Sequence, residues 1–80
     1  MEKRIAAALI IVNEKEYVER MNHILSEHAS VIVARQGVPF HDRSISVITL
    51  VLEGETDNIN SLTGKLGRLN GIQVKTVFSK

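Results

Sequence analysis

Two runs of this chain, Ile5 to Val12 (Ile-Ala-Ala-Ala-Leu-Ile-Ile-Val) and Ile45 to Leu52 (Ile-Ser-Val-Ile-Thr-Leu-Val-Leu), are apolar at almost every position instead of every second one. Side chains alternate across a strand, so a strand that is apolar in both registers is buried on both faces. In the first run Ile5, Ala7, Leu9 and Ile11 point one way and Ala6, Ala8, Ile10 and Val12 the other. A chain of 80 residues has room for two helices, which can cover one face of a sheet. The second face then needs cover from another copy of the chain. The residues assigned to that contact are Ile10, Val12, Ile48, Leu50 and Leu52, and a homo-oligomer, dimer or tetramer, is expected.

The remaining segments order themselves around these two strands. Asn13-Glu14-Lys15-Glu16 places an N-cap residue three positions before Glu, a variant of the capping box, and predicts a helix start. Tyr17, Met21, Ile24, Leu25 and His28 then recur at helical spacing, with the end expected near His28 or Ala29. Val31 to Arg35 is short and β-branched, and Gly37-Val38-Pro39 is expected to break it into an edge strand followed by a turn from Gly37 to Arg43. After the second apolar run, Thr56 or Asp57 is expected to cap a helix carrying Ile59, Leu62, Leu66 and Leu69, and Asn70-Gly71 to stop it. Ile72, Val74, Thr76 and Phe78 alternate with the wetter Gln73, Lys75, Val77 and Ser79 in a last strand.

The order βαββαβ, with right-handed crossovers, puts strands one and three side by side in the middle, where they are expected to run parallel. The predicted class is α+β: a ferredoxin-like βαββαβ sandwich, a four-stranded antiparallel-type sheet of order 4-1-3-2 with two helices on one face. The two runs assigned to the centre are the two that are apolar on both faces. One domain, residues 1–80, accounts for the whole chain.

Composition narrows the chemistry. There is no cysteine, which excludes disulfides, thiolate ligands and a thiol nucleophile and is compatible with a cytoplasmic location. Met1-Glu2-Lys3-Arg4 before eight apolar residues imitates a signal peptide, but the run leads straight into a charged helix with no small-residue cleavage site. No segment has the length of a membrane span. Two Phe, one Tyr and no Trp leave few stacking platforms for single-stranded nucleic acid. Residues 1–57 carry six Lys/Arg against nine Asp/Glu, whereas residues 58–80 carry Lys65, Arg68, Lys75 and Lys80 and no acid. Four scattered cations make a weak electrostatic footprint and point away from direct nucleic-acid binding, although a basic-end binder is one alternative reading.

Catalytic constellations are absent from the pattern. The serines lack a glycine-framed elbow, and no Ser-His-acid spacing can be argued, so no enzyme activity is expected. His23 and His28 are five apart, not the three or four that align ligands on one helix face. His41-Asp42 in the hairpin turn is the better metal candidate, and a sensor combining His41 with a partner's histidines is a second alternative. No metal site or cofactor is assigned. Gly64-Lys65-Leu66-Gly67 has the spacing of a KH loop, but Leu62, Leu66 and Leu69 keep one helical stripe through both glycines, which favours close packing of that helix on the sheet or on a neighbouring subunit as their purpose.

The split βαβ order, the loop Asn13-Glu14-Lys15 after the first strand and the segment from Gly64 to Val77 ending in Asn70-Gly71-Ile72-Gln73-Val74-Lys75 resemble an ACT-type regulatory domain. The stretch from His41-Asp42-Arg43-Ser44 to Leu52-Glu53-Gly54 is similar to the C-terminal domain of the nickel-responsive repressor. Over nearly its whole length, the chain also resembles a small stand-alone family described as candidate regulators of the iron-only hydrogenase system. The resemblance implies an ACT-like regulatory domain that senses a ligand or assembles, with a small-molecule effector or a protein partner, near Asn13, Glu14 and Lys15 and a subunit boundary. The positions matching the repressor's two His and one Cys are Gln36, Val38 and Ser44, so its nickel site does not carry over. Its DNA-binding segment has no counterpart, and a transcriptional role would need a partner.

Overall fold

The computed structural model describes residues 3–79. Its elements run β1 (Arg4–Val12), α1 (Val18–Glu27), β2 (Ile32–Phe40), β3 (Ile45–Gly54), α2 (Thr56–Gly67) and β4 (Ile72–Phe78). The four strands form one sheet in the order β2-β3-β1-β4, which is the expected order read from the other edge. Every neighbouring pair is antiparallel, and this corrects the expectation that strands one and three run parallel. Each βαβ crossover returns the chain parallel to its starting strand but one position away. β3, entering by the hairpin from β2, therefore lies antiparallel between β2 and β1.

The helices cover the even-numbered face of the two central strands. Ala6, Ala8, Ile10 and Val12 of β1 and Ile48, Leu50 and Leu52 of β3 are buried. They pack with Met21, Ile24 and Leu25 of α1 and Ile59, Leu62 and Leu66 of α2. This reverses the assignment made for the interface. Ile10, Val12, Ile48, Leu50 and Leu52 lie within the monomer's own core, and the face left open carries Ile5, Ala7, Leu9 and Ile11 of β1 with Ile45, Val47, Thr49, Val51 and Glu53 of β3. Both faces of β1 are apolar, so its alternation alone cannot say which one the helices take.

Local departures from the predicted boundaries have physical causes. Asn13 does not cap a helix: a single 3-10 turn over Lys15–Tyr17 intervenes before α1, without a side-chain cap. Glu55, not Thr56 or Asp57, occupies the N-cap of α2, also without a side-chain bond. Strand β2 does not stop at Arg35 but continues through Gly37-Val38-Pro39 to Phe40. It is an edge strand, where the missing N–H of a proline can face outward without breaking a ladder bond. The hairpin turn is correspondingly short, closed by the Arg43 N–H donating to the Phe40 carbonyl at 3.0 Å. β2 also carries a bulge: Ile32 stands opposite Leu52 and Ala34 opposite Val51, with Val33 the extra residue. α2 ends at Gly67 with Arg68 as its C-cap, and the left-handed residue is Gly71, at φ 75.

Candidate functional site

The loop after β1, the β2–β3 turn and the start of β4 gather at one end of the sheet, because β1 and β2 both finish there and β3 and β4 both begin there. The three residues assigned to ligand binding all lie at this end and are exposed, but they face different neighbours. The backbone N–H of Asn13 donates to the Gly71 carbonyl at 2.7 Å, and its side-chain amide donates to Gln73 Oε1 at 3.3 Å. Glu14 lies against Gly71. Lys15 alone turns toward the hairpin, where it shares a small cleft with His41, Ser44 and Ser46. Asn13 and Glu14 thus tie the loop to β4, while Lys15 faces the hairpin cleft. Sequence reasoning marks Ser44 only as the counterpart of a repressor metal ligand and gives Ser46 no role, because nothing local links positions 15, 44 and 46.

The open face of the sheet is the larger feature. Register places Lys75, Leu9, Thr49 and Gln36 in one row across the four strands, with Gln73, Ile11, Val47 and Val38 on one side of it and Val77, Ala7, Val51 and Ala34 on the other. Ile5, Leu9, Val38, Phe40, Val51 and Val77 are exposed by 41–70%, and all six project from this face. The seventh large exposed hydrophobic residue, Val33, is the bulge residue. Within the strands, charge on this face is confined to Lys75 and Glu53, of opposite sign and on different strands, and at its margin Asp42 and Arg43 of the hairpin turn line a groove with Phe40, Ile45 and Val47.

The histidines do not converge. His23 Nε2 is 3.7 Å from Glu27 Oε2 on the solvent side of α1, Lys65 Nζ lies 3.2 Å from His28 Nε2, and His41 sits at the hairpin tip. Among the described residues no three potential metal-ligating side chains cluster, so a metal at His41 would need ligands from another chain. The cations also divide: Lys65 and Arg68 belong to the helical layer and Lys75 to the opposite, open face, while Lys80 lies outside the described residues. Gly64 and Gly67 sit in or at the end of α2 and not in a loop. A Cβ at either would meet nothing within 4 Å, so close packing inside this chain does not explain them. Among the described residues, no helix is long and apolar enough to cross a membrane.

The uncharacterized protein TM1266 from Thermotoga maritima has a solved structure that superposes with a TM-score of 0.93 at 35% identity, covering 99% of this chain and all (100%) of that one. The C-terminal domain of the MgtC protein from Mycobacterium tuberculosis gives a TM-score of 0.71 at 13% identity over 95% of this chain and 87% of its own. CutA1 from Oryza sativa gives 0.55 at 16% identity over 96% and 81%. These two likenesses show the fold alone. A comparison with curated proteins returns no match. The family model described as "TM1266-like: Iron-only hydrogenase system regulator, putative" matches residues 4–76. The βαββαβ fold, the near-complete superposition and this match agree: the chain belongs to the TM1266-like family.

Proposed function

We propose that this chain is a non-enzymatic, ACT-like regulatory domain that acts by pairing its open sheet face with a second copy of itself, and that a small ligand bound at the Lys15 end biases that pairing. The observation that carries this reading is the concentration of exposed apolar side chains on one face of the sheet. Contiguous apolar patches of this kind mark interaction surfaces in soluble proteins. Four strands about 4.8 Å apart and about nine residues long give a footprint of roughly 600 Å² before side-chain relief. A standard interface buries about 800 Å² per partner, so the whole face is the right size for one subunit contact.

Charge favours a like partner. The strands of the face offer one cation and one anion, Lys75 and Glu53, and the hairpin margin adds the pair Arg43 and Asp42, a near-neutral pattern that a copy of itself can complement in an isologous contact. A nucleic acid would call for a surplus of cations there. The family's description as a regulator of the iron-only hydrogenase system supports a regulatory role, and in this reading assembly is the regulated quantity. A ligand can shift assembly only by the difference in its affinity for the two states.

Sedimentation velocity tests the assembly directly. Wild-type protein is expected to sediment as a dimer or larger, and Val51→Glu as a folded monomer, because a buried unpaired carboxylate on the contact face is costly while the core beneath is untouched. A wild-type monomer at high micromolar concentration would refute the proposal.

A further inference from the structure

The cleft between the loop after β1 and the hairpin tip has a volume near 80 Å³. One water occupies roughly 30 Å³ in the liquid, so the space suits a single small head group. Its polar lining is Lys15, His41, Ser44 and Ser46, with Pro39 and Ile45 among its apolar walls. Among the described residues, none of these four side chains makes a hydrogen bond or an ion pair. The carboxylates nearest in the chain are all directed elsewhere. Glu14 lies over Gly71, Glu16 lines a groove along α1 with Tyr17 and His23, and Asp42 lines the other side of the tip with Phe40 and Val47. The cleft is thus furnished with an ammonium, an imidazole and two hydroxyls, and with no acid.

The backbone at Ser44 adds a second observation. Ser44 holds φ 55, a left-handed conformation that glycine adopts without strain and serine does not. A hydroxyl needed in the cleft gives a reason for serine at a turn position where glycine would be easier.

The geometry points to a binding site for a small oxyanion, the phosphate or carboxylate head of a metabolite. Lys15 supplies a charge-assisted hydrogen bond, and the Ser44 and Ser46 hydroxyls and a ring N–H of His41 supply the other donors. This names a ligand class for the regulatory reading, and it needs only the monomer fold. Phe40 and Ile45, in or beside the same turn, belong to the open face, so an anion that orders the tip also orders the border of the proposed contact.

Amide chemical shifts of ¹⁵N-labelled protein, titrated with inorganic phosphate and separately with acetate at ionic strength held constant with chloride, test the site. Saturable shifts centred on residues 15, 41, 44 and 46 are expected for at least one anion. Response to phosphate alone identifies a phosphoryl head, response to acetate alone a carboxylate head, and response to both the shared oxyanion chemistry. Lys15→Gln should weaken binding about tenfold, the equivalent of one charge-assisted bond. Ser44→Gly should weaken it as well while leaving the melting temperature equal or higher, which a merely structural serine would not do. Shifts that do not saturate, or the same affinity in Lys15→Gln, would overturn the assignment. Sedimentation of the same samples separates the two ideas: saturable binding to a monomer upholds this site while refuting assembly, and a dimer without binding does the reverse.

Discussion

Glu14 lies across Gly71 so closely that a Cβ at position 71 would fall 2.6 Å from Glu14 Oε2 and 2.9 Å from Glu14 Cβ. The residue has φ 75 as well, so a side chain there meets both a steric and a backbone objection. This contact, with the bond from the Asn13 N–H to the Gly71 carbonyl, pins the loop after β1 to the start of β4. Gly71→Ala is expected to destabilise the protein by about 1 to 3 kcal/mol. Urea denaturation monitored by circular dichroism gives the value, and an unchanged midpoint would show that the loop yields freely.

Leu50 and Val51 are neighbours in sequence with opposite roles. Leu50 is fully buried beneath the helices and Val51 is 41% exposed on the open face. Leu50→Ala should cost about 2 to 5 kcal/mol through lost burial and a residual cavity. Val51→Thr, measured at concentrations dilute enough to hold the monomer, should stay within about 0.5 kcal/mol. Equal losses at the two sites would mean that the faces are assigned wrongly.

Gly64 lies inside α2 with open space where a Cβ would go. Gly64→Ala should therefore stabilise the isolated subunit by about 1 kcal/mol, the difference in helix propensity. Thermal melting reads the gain. A loss instead would reveal a close neighbour over α2 in the assembled protein.

Gly54, at the end of β3, packs under Val31, where an added Cβ would come within 2.7 Å of Val31 Cγ1. Gly54→Ala should cost about 1 to 3 kcal/mol by overpacking. Val31→Ala removes the obstructing methyl groups, so the double variant should be more stable than the sum of the single losses predicts. Strict additivity in this cycle would place the strain elsewhere.

The element order, the two central strands and the helical stripe Ile59, Leu62 and Leu66 were legible because periodicity is a property of the chain alone, whereas Leu69, read as part of that stripe, is buried just beyond the helix end. The choice of covered face was harder, since β1 is apolar in both registers. The signal lay in β3 and β4, whose odd positions hold Thr49, Glu53, Gln73 and Lys75, marking the odd face as the wetter one. Pro39 misled for a different reason: it reads as a break, yet at a sheet edge its missing donor does not interrupt the ladder. The cleft at Lys15 was out of reach, because it depends on bringing residues about thirty positions apart to the same end of the sheet.

The extra residue at Val33 also decides what the sheet edge displays. Unbroken alternation from Ile32 would send Arg35 outward to the exposed apolar surface and turn Val38 and Phe40 toward the helical layer. The surplus residue resets that phase by half a period: Arg35 swings under toward Asn22 of α1, its Nη2 3.4 Å from Asn22 Oδ1, and Val38 and Phe40 join Val47 and Ile45 in one continuous greasy margin. A single-residue insertion thus removes a fixed charge from the surface and widens it by a strand, so a relative lacking that insertion would present a narrower and more polar edge from an otherwise identical fold.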